Sequence, residues 1–213
     1  MAKKKSVLII GAHPDDVELG CGGFIHSTQE THQCFALVLT QTNRAGVDLR
    51  ANCLAALSVC GIPEQDAHIV DKPIAEFHDR ETLWKLIHNY AAQVKPDLVF
   101  THENDGHPHH ELVNQETFNQ SLPKVCDVAT YSCKPYLTGE SRNWYHYIGP
   151  EALEHKLDAL ECYDNYAEES YFNRDLIRSW ATVCGFNHLG HGYAEAFRLE
   201  RHYTGRIPFN ASR

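Results

Sequence analysis

Residues 7–23 read VLIIGAHPDDVELGCGG: an apolar run stops at His13, Pro14 and the adjacent acids Asp15 and Asp16, ahead of a cluster of glycines. A second concentration of donor groups, HENDGHPHH at 102–110, supplies His102, Glu103, Asp105, His107, His109 and His110. Imidazole and carboxylate without thiolate suit Zn²⁺, or Fe²⁺ in a hydrolytic setting. A catalytic zinc takes three protein ligands and keeps a fourth position open for water. Two ligands from one loop and a third from another meet that requirement. Spacing alone leaves open which residues they are. Four histidines and two acids in nine residues have no ready explanation as a plain solvated loop.

For the two clusters to meet, the fold must carry them to one edge. SVLIIGA is a continuous apolar run of the kind found in buried parallel strands. VELGCGGFIHSTQE reads as a helix with acids in its first turn and glycines permitting close packing, CFALVLT as a second strand, and DLRANCLAALSVCGI as a helix capped by Asp48 and ended by Gly61. AHIV is a short strand, DRETLWKLIHNYAAQVK a helix closed by Pro96, and DLVFT a fourth strand. This alternation predicts an α/β, Rossmann-like fold, with a mostly parallel sheet flanked by helices on both faces. Ligands of such sheets sit outside the carboxyl ends of the strands, where His13 and His102 both fall. The C-terminal part is less regular. VATYSC, NWYHYIG and YAEAFRLERHY read as strands, and PEALEHKLDALECYDNY and RDLIRSWATVCGF as helices.

The 213 residues fit a single domain over 1–213, long enough for a full core. A net charge of −9 argues against nonspecific nucleic-acid binding and against an anionic membrane surface. The opening MAKKKSVLIIGAHPDD has too short an apolar run for a signal peptide, and no window approaches a membrane span. These features predict a cytoplasmic protein. Its eight cysteines form no C-x-x-C pair and read as reduced, buried thiols. GCGG at 20–23 lacks the order of a dinucleotide fingerprint or a phosphate loop. Aromatic-rich NWYHYIG reads as core rather than as a sugar-stacking wall, and Glu195 as a neighbour of the site without a catalytic part.

AHPDDVE followed by GG, then D-x-H-P-x-H about ninety residues later, resembles the PIG-L (LmbE-like) family of metal-dependent N-acetylglucosamine-type deacetylases. KLDALECY and YAEAFRL are similar to that family's later segments, so the resemblance spans most of the chain. It implies His13, Asp16 and His110 as metal ligands, with zinc or ferrous iron as the cofactor. It also implies Asp15 as the general base acting on the metal's water, and His107 as the group that stabilises the oxyanion and protonates the leaving amine. The activity implied is removal of the acetyl group from an N-acetylated amino sugar or its conjugate. The alternatives are an amidase for a thiol–sugar conjugate and a non-catalytic metal- or sugar-binding protein. The partner implied is a small-molecule amino sugar; the net charge and the lack of a membrane-length window predict no nucleic acid and no membrane, and a homo-oligomer is compatible, since related enzymes often assemble.

The chain departs from the family at HPHH, where HPDH is usual. His109 thus replaces an Asp, and Asp105 is the residue expected to orient His107 in its stead, behind the ligands. Neither His102 nor His109 is expected to be a ligand. Arg44, in the loop TQTNRAG, and Arg50, near the start of the second helix, are the candidate substrate-binding cations, with an ordinary surface charge the competing reading for Arg50.

Overall fold

The computed structural model describes residues 3–77, 79–122, 126–134, 142–166 and 169–202. Four strands follow the expected alternation: β1 (Lys5–Gly11), β2 (His32–Val38), β3 (Ala67–Ile69) and β4 (Leu98–His102). They are followed by α1 (Asp16–Ser27), α2 (Arg50–Cys60), α3 (Arg80–Val94) and α4 (Pro108–Glu116). Beyond these come β5 (Asp127–Tyr131), β6 (Trp144–Tyr147), α5 (Gly149–Leu160), α6 (Arg174–Leu189) and β7 (Ala194–Arg201). The strands form one seven-stranded sheet in the order β3-β2-β1-β4-β5-β7-β6. Pairing is parallel from β3 through β5 and antiparallel only where β7 joins β5 and β6.

β1 is apolar without alternation because both of its faces are covered. Val7 and Ile9 belong to the core shared with α1, α2 and α5, whereas Leu8 and Ile10 belong to the opposite core with α3 and α4. All four are fully buried, each contributing roughly 1.5–3 kcal/mol of transfer free energy. Trp144 of NWYHYIG stacks on Phe100 at 5.5 Å and packs edge-on against Phe24, consistent with core.

Glycine lets neighbours approach the backbone of α1. A Cβ at Gly20 would lie 2.1 Å from the buried Tyr131 ring, and one at Gly23 would lie 2.7 Å from Ile148. Through the opening left at Gly23, the carboxylate of Glu195 accepts the amides of Gly23 and Phe24, while Lys156 donates to the Leu19 carbonyl and to Glu195. Glu195 is therefore a clasp between β7, α5 and α1 rather than a neighbour of the ligand cluster. Local expectations shift in two further places. Leu49 occupies the cap of α2, and Asp48 instead accepts the Arg50 amide. α6 runs on to Leu189 before Gly190 ends it in a left-handed conformation. No helix among the described residues is long and apolar enough to cross a membrane.

Candidate active site

The turn between β1 and α1 is built on an uncommon backbone state. Asp15, at the cap of α1, has φ 101°, a left-handed conformation that costs a residue with a side chain on the order of 1–3 kcal/mol. Asp is among the types that adopt it most readily. The turn sends the side chains of Asp15 and Asp16, both buried residues, into the space beyond the carboxyl end of the sheet. There Asp16 Oδ2 accepts the His13 amide at 2.7 Å, closing the turn.

α4 brings the second cluster to the same place. Pro108 opens this helix, whose first turn carries His109 and His110, with His107 at the cap. His13 Nδ1 lies 3.3 Å from Asp16 Oδ2, and His110 Nε2 lies 3.5 Å from Asp16 Oδ1. Ligand atoms around a tetrahedral zinc with bonds of about 2.0–2.2 Å are roughly 3.4 Å apart, so each of these pairs has the spacing of neighbouring ligands, His13 through one oxygen of Asp16 and His110 through the other. His102 also approaches Asp16, at 3.2 Å, and stacks on His110 at 3.9 Å. Its Nε2 is nevertheless already the acceptor of the Ala12 amide at 3.0 Å, which keeps that lone pair from a cation. Glu103 is likewise engaged, by a two-point contact from Arg142.

The charges in this space are strongly coupled. Burial, reinforced by Asp16 and Glu18, holds the Asp15 carboxyl well above the usual range. Burial pushes Asp16 the same way, but His102, His110 and His13 outweigh it and hold Asp16 well below that range. Against burial, Asp16 and Asp105 push His110 up to about 10, whereas burial and the neighbouring imidazoles bring His107 down to about 4. The carboxylates of Asp16 and Asp105 thus set up a negative potential beside His110, which favours a positive charge there, the electrostatic setting a divalent cation needs. Donor types, spacing and charge all fit one.

Asp105 corrects an expectation. Its Oδ2 pairs with His110 Nδ1 at 2.8 Å, and its other oxygen accepts the backbone amide of His107 at 3.0 Å. It orients the His110 ring and not that of His107. The ring of His107 instead accepts from Arg44, whose Nη2 lies 2.9 Å from Nε2. Arg50 turns elsewhere: its guanidinium donates to the Ile69 carbonyl at 2.7 Å and does not line the cleft.

These groups open onto a cleft of about 410 Å³, of the size that holds a small molecule. His13, Asp15, Asp16, His107 and His110 line it, together with Thr42, Asn43 and Arg44 of the β2–α2 loop. The lining also includes residues not anticipated from the sequence: Cys133, Lys134, Tyr166, Glu169 and Tyr171. Lys134 sits 4.1 Å over the Tyr171 ring, and the Cys133 thiol donates to Asp16 Oδ1 at 3.3 Å. The position of SCK just past β5, at the carboxyl edge, was the available signal for the first two. For the tyrosines, which lie between α5 and α6, local pattern offered none.

The PIG-L family, described as GlcNAc-PI de-N-acetylase, matches residues 8–120, more than half of the chain. An uncharacterized deacetylase, YaiS, from Escherichia coli K12 is 44% identical over 46 residues, a match that takes in 22% of this chain and only 25% of that protein. Among solved structures, the N,N'-diacetylchitobiose deacetylase of Pyrococcus horikoshii superposes with a TM-score of 0.70 at 20% identity, over 97% of this chain and 88% of that one. GalB, the 4-carboxy-2-hydroxymuconate hydratase of Pseudomonas putida KT2440, also reaches 0.70, at 17% identity over 93% of this chain and 97% of that one. At such identities the two superpositions show a shared fold, and the chemistry has to be argued from the site.

Proposed function

The chain belongs to the PIG-L family, and from that membership and the geometry of the cleft we propose that it is a metal-dependent deacetylase of N-acetylated amino sugars or their conjugates. A zinc or ferrous ion held by His13, Asp16 and His110 would polarise the amide carbonyl and lower the pKa of a water beside it. The observation that carries the reading is the division of labour between adjacent acids. Asp16 is enclosed by His13, His102 and His110, whereas Asp15 lines the cleft with none of these contacts.

Asp15 takes the proton of the attacking water, and burial beside Asp16 raises its basicity towards that task. Water oxygen bonds to the carbonyl carbon, the C–N bond breaks, and the amine leaves with the proton that Asp15 took up, as acetate forms. His107, at the cap of α4, and Arg44, in the β2–α2 loop, are the groups that would serve the carbonyl oxygen and the leaving nitrogen. Arg44 contributes permanently charged donors. For His107 to use Nε2 as a donor, Arg44 must turn to another acceptor, and a substrate oxygen serves. Tyr166 and Tyr171 also line the cleft, and aromatic side chains suit a sugar.

The test is acetate release from a panel of free, nucleotide-linked and glycoside-linked N-acetylated amino sugars. Each is run with zinc, with anaerobic ferrous iron and with a chelator. Release abolished by the chelator supports the proposal and picks out the substrate class. Silence across the panel from protein that holds a cation overturns it in favour of the thiol-conjugate amidase or the binding protein.

A further inference from the structure

The proposed chemistry leaves His109 without a part, yet its ring is held between Phe77 and His13. It stacks on Phe77 with centroids 3.9 Å apart and planes 5° from parallel. Its Nδ1 lies 2.9 Å from Nε2 of His13, a residue 96 positions away in the chain. The other nitrogen of His13, Nδ1, is the one that faces Asp16, at 3.3 Å. A neutral imidazole carries a single proton. If His13 gives the lone pair of Nδ1 to a cation, that proton sits on Nε2 and needs an acceptor. His109 Nδ1 is the acceptor in place.

We propose that His109 is a positioning residue for the cation site, accepting the Nε2–H of His13 and so fixing the tautomer and ring plane that aim His13 Nδ1 at the cation. Phe77 is the plate that holds the His109 ring in register. Each ligating imidazole then has its own support: His109 behind His13, and Asp105 behind His110 at 2.8 Å. One turn of α4 delivers both a ligand, His110, and the support of the other ligand. The inference rests on His13 being a cation ligand, as the proposed function has it.

Competition titration of zinc against a chromophoric chelator, on the intact protein and on H109A and H109N, tests the role. The side-chain oxygen of Asn reaches close to the place of His Nδ1 and keeps an acceptor there, while Ala removes it. H109A is expected to weaken zinc binding about 10–100-fold, the usual cost of losing such a support. H109N is expected to recover most of that loss. The visible spectrum of the cobalt-substituted protein should change in H109A and be restored in H109N. Equal zinc affinity in H109A and the unaltered protein overturns the role while leaving the cation site standing. H109N as weak as H109A also overturns it, since packing of the ring would then be what matters. If the unaltered protein binds no zinc, the cation site itself falls, and this role with it.

Discussion

Asp105 reaches His110 with one oxygen, 2.8 Å from Nδ1, and with the other holds the His107 amide at 3.0 Å. A single carboxylate thereby ties together the last loop residue and the helix turn that carry the second cluster. By accepting the Nδ1 proton it leaves His110 Nε2 to face Asp16. Replacing Asp105 with Ala should weaken zinc binding by about 10–100-fold, and Asp105→Asn, which retains one acceptor oxygen, by less. Metal affinity measured on both variants checks this. Equal affinity in Asp105→Ala and the unaltered protein would show that the pair does not orient the ligand.

The two adjacent acids should separate cleanly. Asp15→Asn is expected to keep zinc affinity while kcat falls by about 10²–10⁴-fold, the typical contribution of a positioned base. Asp16→Asn should lose the metal itself. Asn is the replacement of choice at 15 because it also tolerates the left-handed backbone at φ 101°. Metal content and acetate release on the same preparations decide it.

Glu195 and Lys156 should matter to stability and not to chemistry. Their contact is buried, at 2.6 Å, and Glu195 also accepts two amides of α1. Glu195→Gln leaves Lys156 without its counter-charge, which should cost about 3–5 kcal/mol. Urea unfolding of the variant would show a lower midpoint with the slope unchanged. A midpoint shift of a few tenths of a molar or less would mean that the clasp contributes little.

Thiol reactivity offers a test of the packing. Seven of the eight cysteines are buried. Burial pushes Cys34 up to about 12 and Cys184 up to about 11, so at neutral pH these groups are thiols and poor nucleophiles. A thiol reagent should therefore react first with half-buried Cys162 and reach the others only on unfolding. Fast modification of more than one cysteine in the native protein would contradict this burial.

Much of the framework was legible in the chain. Uninterrupted apolar runs such as VLII specify strands covered on both faces, because only a sheet sandwiched between helices removes every such side chain from water. The alternation of strands and helices then places both polar clusters at the carboxyl edge, whatever the detailed packing. HPDD and HPHH carried the chemistry in their residue types, and the glycines of α1 signalled close approach before Tyr131 and Glu195 were known to make it. Only the tertiary structure decided which side chains meet. Asp105 turned to His110, Arg50 to Ile69 and Glu195 into α1, while His109 came against His13 and Phe77. The entry of Cys133, Lys134, Tyr166 and Tyr171 into the lining of the cleft belongs to the same class. The physical reason is that periodicity reports only which face or edge a residue occupies. The partner of a given atom depends on rotamer, helix rotation and chain segments tens of residues away, and those are settled by the packing of the whole.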